Sequence, residues 1–198
     1  MRKQLFIAVM SFAGVASAAP SIEVGFSPEG SAQALVLRSI NQAHSSIDMM
    51  AYEFQAPDIV AALGNAAERG VRVDVVIDSR CNRKNAKALA AIQSALRHGV
   101  HMRIDSHYHI QHDKVMIIDG STLETGSFNY TALAEKANSE NLIVVKGAPD
   151  LIRQYEAHFA IRWQLATPIA GERGGLISDS PFSSILHHLP ATFAINGP

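Results

Sequence analysis

The sequence predicts a single α/β domain: a mixed, largely parallel β-sheet flanked by helices on both faces. Two observations carry this expectation. From Ser46 to Asp105, strand-like and amphipathic helical segments alternate in the order strand, helix, strand, helix, strand, which is the spacing of βαβ units. With 198 residues, 47% hydrophobic and 18% charged, the chain has the length and composition to bury one core.

The elements follow in order. Ser21 to Phe26 reads as a short strand in which Ile22, Val24 and Phe26 alternate. "SAQALVLRSINQAH" is an amphipathic helix with Ser31 as its candidate cap. "SIDMMAYEF" is a strand ending near Phe54. Pro57-Asp58 opens a second helix, which runs through Glu68 and closes at Gly70. "VRVDVVID", 71–78, is a strand with Val71, Val73, Val75 and Ile77 on one face. A third helix covers Asn85 to Arg97 and closes at Gly99, followed by the strand "VHMRID". Next come "HDKVMIID", a turn at Asp119-Gly120 and a return strand "TLETGSF". A short helix "TALAEKA", a strand "NLIVVKG" and a long helix "APDLIRQYEAHFAIRWQLA" complete the domain, with Trp163 read as core.

The two ends have a different character. Met1-Arg2-Lys3, an apolar run from Leu5 to Val15 and Ala16-Ser17-Ala18 make a secretory signal pattern with a cut after Ala18. The run is shorter than the ~20 residues a membrane span needs. The expected organisation is therefore a signal peptide at 1–18, a catalytic domain at 19–166 and a poorly ordered Gly-, Pro- and Ser-rich extension at 167–198. The expected location is periplasmic or secreted. Loss of Arg2 and Lys3, with no acid in the segment, takes the formal charge from −1 to −3. Any nucleic-acid binding must then rest on local positive charge. The single cysteine, Cys81, excludes an intrachain disulfide and reads as a partly buried thiol.

"HDKVMIID" carries the chemistry. Residues i and i+2 of a strand share a face, so His112 and Lys114 stand side by side at the head of an apolar strand. An imidazole next to an ammonium there suggests an anion site. Asp119-Gly120 is a hairpin signal. A loop of those two residues sets His112 opposite Ser127 and Lys114 opposite Thr125. A loop of Gly120-Ser121 sets them opposite Asn129 and Ser127. Both registers bring "GSFN", 126–129, against the pair. Gly126 permits close backbone approach. A helix starting near Tyr130 would add free amides and its dipole, completing a phosphate site.

His112-x-Lys114, Asp119, and Gly126-Ser127-x-Asn129 resemble the HKD motif of the phospholipase D superfamily. The single motif copy and the signal pattern resemble its small bacterial nuclease branch. The resemblance covers Ser21 to Ala166 and implies cofactor-free, metal-independent cleavage of a phosphodiester through a phosphohistidine. It implies that His112 is nucleophile or acid and that Lys114 and Asn129 hold the phosphate oxygens, with Ser127 supporting. It also implies that Glu140, in "NSENLIVV", orients the histidine. Asp119 is read as serving the turn through its own hydrogen bonds.

The exposed-loop residues His107 and His109 lack the further ligands that a metal site needs. Arg80, Arg83, Lys84 and Lys87 are candidates for the nucleic-acid backbone. The expected activity is that of an exported endonuclease of low sequence specificity. Alternatives are a phospholipid hydrolase or phosphatidyltransferase, with membrane lipid as partner, and a non-catalytic nucleic-acid-binding protein. In-line displacement needs two histidines, and the chain has one H-x-K set. A homodimer with the active site across its twofold axis is therefore expected.

Overall fold

The computed structural model describes residues 19–169. The strands are β1 (Ser21–Ser27), β2 (Ser46–Ala51), β3 (Arg72–Asp78), β4 (His101–Asp105), β5 (Lys114–Ile118), β6 (Thr122–Gly126), β7 (Glu140–Lys146) and β8 (Thr167–Pro168). The helices are α1 (Ser31–Asn41), α2 (Pro57–Glu68), α3 (Ser79–Asn82), α4 (Ala86–Arg97), α5 (Ala132–Lys136) and α6 (Pro149–Leu165). All eight strands form one sheet in the order β1-β7-β6-β5-β2-β3-β4-β8.

The sheet is mixed, with helices on both faces as expected, but parallel pairing is confined to β2-β3 and β3-β4. These are the strands joined by helical crossovers. The remaining neighbours are antiparallel. A tight hairpin joins β5 to β6, and no crossover fits in one. Thr167 and Pro168, expected in a disordered extension, instead pair with β4, and Ile169 packs on the core. The rest of that extension and the signal segment lie outside the described residues.

One face of the sheet carries α1, α2 and α4, whose Val36, Ile40, Ile59, Leu63 and Ile92 pack on Ile47, Val75, Ile77 and Met116. The other face carries α6, whose Ile152, Phe159, Ala160 and Trp163 pack on Met50, Val76, Val115 and Ile117. The termini of α2 and α4 obey the expected chemistry. Pro57 and Asp58 open α2, and Asn85 caps α4 by accepting from the amides of Lys87 and Ala88. Ser31 does not cap α1. Gly30 holds that position, because the Ser31 hydroxyl is already bonded to the N–H and carbonyl of Phe26.

Strand β1 points its apolar residues outward. Ile22, Val24 and Phe26 are 63%, 51% and 52% exposed. The opposite side of β1 lies against α1 so closely that a Cβ on Gly25 would stand 2.8 Å from the Ala32 backbone. No large side chain fits there, and α6 packs over β2, β4 and β5 rather than β1.

The hairpin takes neither expected register. Ile118 pairs with Thr122 and Val115 with Thr125, so the loop has three residues, Asp119 to Ser121. Asp119 explains the extra residue. Its N–H donates to the Ser46 carbonyl at 2.9 Å. Its carboxylate accepts from the amides of His44 (3.0 Å), Ser45 (2.8 Å) and Ser46 (3.0 Å) and from the Ser45 hydroxyl (2.8 Å). Asp119 therefore serves the α1–β2 turn rather than its own hairpin, and the hairpin closes one residue later. Partial burial opposes ionisation, but these bonds outweigh it and hold the carboxyl below its ordinary value of 3.8. A depressed pKa contributes stability above the unfolded value that is lost as the pH falls through the folded one. Asp119→Asn tolerates the positive φ of 53° and removes the charge together with one acceptor oxygen. It is expected to lower stability by about 1–2 kcal/mol at pH 7 in urea titrations, with the loss narrowing below pH 3.8.

Glu124 on β6 is fully buried; among the described residues it accepts only from the Tyr130 hydroxyl, at 3.4 Å, and its Oε2 has no partner. Burial pushes its pKa up to about 8. The native state thus keeps a proton that the unfolded chain releases near 4.5, and stability falls as the pH rises from there to about 8. Glu124→Gln should flatten this slope, measured as a smaller difference in Tm between pH 5 and pH 9 than the wild type shows.

Candidate active site

The C-terminal ends of β2 and β3 and the start of β5 meet at one end of the sheet, where Ala51 pairs with Lys114. Two buried polar side chains fix their connections. Asp78 accepts through Oδ1 from the amides of Arg80 (2.8 Å) and Cys81 (2.9 Å), which starts α3. Through Oδ2 it accepts from the amide of Gln111 (2.8 Å), the residue before His112. Asn82 donates to the carbonyls of Tyr52 (2.8 Å) and Asp78 (2.7 Å) and accepts from the amide of Phe54 (3.1 Å). Tyr52 in turn donates its N–H to the Asp113 carbonyl at 3.1 Å.

His112 is exposed and Lys114 is buried. Their side chains meet the same ring. The His112 imidazole lies 4.4 Å from the Tyr52 ring, tilted by 59°, and the Lys114 ammonium stands 4.8 Å from that ring's centroid. The ammonium also donates to the His112 carbonyl at 2.9 Å. Burial pulls the Lys114 pKa down, while the charges of Asp113, Glu140 and Glu53 work against that shift. Asp113 accepts from Gln111 Nε2 (2.8 Å) and lies 3.2 Å from His158 Nε2 on α6. Burial raises its pKa, but these partners outweigh it and hold the carboxyl low.

Gly126 ends β6, and a Cβ there would meet the Asn141 carbonyl at 2.2 Å, so only glycine fits. The Ser127 hydroxyl donates to Glu140 Oε2 at 2.6 Å and accepts from the Asn141 amide at 3.0 Å. Glu140 Oε1 accepts from Asn138 at 3.0 Å. Glu140 is thus bound to Ser127 and Asn138, and the expected bond to His112 does not form among the described residues. The end of β6 stands beside the start of β5, since Val115 pairs with Thr125 and the Thr125 hydroxyl donates to the Lys114 carbonyl at 3.2 Å.

Asn129 is half-buried, and its Oδ1 has no partner. It does not cap a helix. Thr131 caps α5 through a bond from the Ala134 amide, so the helix starts at Ala132 rather than near Tyr130. The helix N-terminus thus lies two residues further from Asn129 than the sequence suggested, and its cap is supplied by Thr131. The carbonyl of Tyr130 accepts from the amides of Gln55 and Ala56, both at 2.8 Å, and anchors this loop to the β2–α2 connection.

Arg80, Arg83, Lys84 and Lys87 are exposed along α3 and the start of α4. Arg80 reaches His109 at 3.3 Å, and Lys87 lines a groove of about 500 Å³ that also includes Glu53 and Leu133. His107 and His109 are exposed, and no metal-binding group of three His, Cys, Asp or Glu forms among the described residues. Sequence reasoning missed Tyr52, Asp78, Asn82 and Asp113. The one available signal was Asp78 at a strand end before Ser79-Arg80-Cys81-Asn82, an N-cap pattern.

Comparison with known proteins agrees with this geometry. The family model described as cardiolipin synthase, PLD-like domain, matches residues 36–163. The solved structure of Nuc, a phospholipase D family member from Salmonella typhimurium, is 47% identical, with a TM-score of 0.75 over 77% of this chain and all of Nuc. NucT from Helicobacter pylori, 20% identical with a TM-score of 0.68, shares the fold. Among curated proteins, a phospholipase D from Rickettsia conorii is 37% identical over 121 residues, 61% of this chain and 59% of the relative. The human mitochondrial cardiolipin hydrolase is 30% identical over 159 residues, 76% of this chain and 62% of the relative. The chain thus spans about 60% of the length of the curated relatives it matches.

Proposed function

Because the chain belongs to the phospholipase D superfamily, we propose that it is an exported phosphodiesterase that cleaves nucleic acid with low sequence specificity. The observation that carries this reading is the exposed imidazole of His112 beside the buried ammonium of Lys114, both against the Tyr52 ring. The exposed run Arg80, Arg83, Lys84 and Lys87 favours a polyanionic substrate.

In this mechanism the deprotonated nitrogen of His112 attacks phosphorus in line, and the P–O bond to the leaving oxygen breaks. Lys114 and Asn129 hold the non-bridging oxygens, where charge accumulates. A second imidazole protonates the leaving oxygen, and water then releases the phosphate from His112. Ser127, fixed by Glu140, lines the phosphate's other side.

The second imidazole comes from a second copy of the chain. The outward stripe of Ile22, Val24 and Phe26 supports this, because an exposed apolar strand face of this kind marks a contact surface. The stripe leads to the site. Phe26 pairs with Asn141, and Asn141 bonds Ser127. A twofold contact along it would have to bury at least ~1,000 Å² in total.

A second reading, phospholipid cleavage, is favoured by the names of the Rickettsia and human relatives. Incubation of the purified protein with plasmid DNA, RNA and phosphatidylcholine vesicles in EDTA separates the two. Nucleic acid should be cleaved in EDTA, and folded His112→Ala and Lys114→Ala proteins should each lose ~100-fold or more. Activity lost on chelation and restored by a divalent ion would refute the metal-free route, and cleavage of vesicles alone would assign the lipid reading. The dimer is tested by refolding wild-type subunits with excess His112→Ala subunits. Mixed dimers should be inactive, so activity should fall well below the wild-type share. Activity proportional to that share, with mixing proven, would show that each chain works alone.

A further inference from the structure

Within the described residues, the His112 imidazole makes no hydrogen bond to a side chain or backbone group, and its one ring contact is Tyr52. The carboxylate expected to orient it, Glu140, is engaged by Ser127 and Asn138. An imidazole on an exposed chain segment, with nothing to fix its χ angles, loses the orientational advantage that in-line attack requires. Tyr52 supplies that constraint.

Its own position is heavily determined. The Tyr52 N–H donates to the Asp113 carbonyl, and its carbonyl accepts from the buried amide of Asn82. One ring is therefore tied through both polar groups of its backbone. Its centroid lies 4.4 Å from that of the His112 imidazole, and its π-face stands 4.8 Å from the Lys114 ammonium.

We infer that Tyr52 is the positioning residue of the site, with its ring setting the rotamer of His112 and the location of the Lys114 ammonium together. The inference rests on the phosphodiesterase reading only for its kinetic consequence. The ring does not touch the reacting phosphorus. Its effect on turnover runs through His112 and Lys114, and it belongs to kcat rather than to substrate affinity.

The test uses the full chain, a small chromogenic diester such as bis(p-nitrophenyl) phosphate, and proton NMR of the histidine ε1 resonances. The His112 signal is assigned by its disappearance in His112→Ala. In the wild type it should be shifted by the ring current of Tyr52. Tyr52→Leu should remove that shift and lower kcat by about 10- to 100-fold with little change in KM. Tyr52→Phe should keep the shift and restore most of kcat. Tyr52→Met, whose longer unbranched side chain adapts to irregular space, replaces Tyr52→Leu if that variant does not fold. A folded Leu or Met variant with wild-type kcat would overturn the inference. So would a Phe variant as impaired as Leu, or an unshifted His112 resonance in the wild type. A wild type that hydrolyses no diester would overturn the phosphodiesterase reading instead, and the NMR shift would still decide the role of Tyr52.

Discussion

The site depends on a knot of two buried polar side chains, Asp78 and Asn82, at the end of β3. Strand β3 is central, and its last residue turns a carboxylate into the space where three chain segments pass. One Asp78 oxygen starts α3, and the other holds the segment that delivers His112. Asn82, presented by that short helix, then fixes Tyr52 and Phe54. Buried amides and carboxylates must find partners or cost several kcal/mol. These partners are all backbone groups, and Tyr52, Phe54 and Gln111 among them lie outside the helices and the eight strands. The requirement to satisfy two side chains thus becomes a constraint on where His112 and Tyr52 sit.

The opposite wall is set by close approach rather than by hydrogen-bonded side chains. Gly126 lets β6 press onto the backbone at Asn141, which brings Ser127 within reach of Glu140. The Tyr130 carbonyl then ties the loop to the β2–α2 connection. Both walls thus lean on the residues just after β2, Tyr52 on one side and Gln55 and Ala56 on the other. At the far end of the sheet Asp119 does the matching work, holding the α1–β2 turn and with it the start of the same strand. Strand β2 is the post on which the site is hung.

Periodicity made most of the fold legible. Helices α2 and α4 begin and end where Pro57, Asn85, Gly70 and Gly99 say they should, because those signals act within one turn of the chain. Lys114 opens β5, but His112, read as part of that strand, lies before it in the segment that Asp78 holds through Gln111. Contacts between distant segments were not legible. Asp119 answers to residues 73 to 75 positions away, which is why neither two-residue hairpin was right. Asn82 meets Tyr52 across 30 positions and Asp78 meets Gln111 across 33. Glu140 stood where a resemblance put it, but a position does not name a partner, and Ser127 was nearer. In β1 the alternation said that Ile22, Val24 and Phe26 share a face. It did not say that Gly25 would take the covered one.

The electrostatics of the site bear on its proposed assembly. Lys114 is a single buried ammonium among the charges of Asp113, Glu140 and Glu53. Burial pulls its pKa down, and the acids oppose that shift. Adding a second buried lysine within one chain would impose another desolvation penalty of several kcal/mol on the same fold. A twofold arrangement avoids that concentration. Each subunit desolvates one ammonium inside its own core, supported by its own Tyr52 ring and carbonyl. Two such ammonium groups would then converge on a phosphate only when the subunits meet. The same step would supply the second imidazole, so the charge requirement and the proton requirement of the reaction are met by one interface.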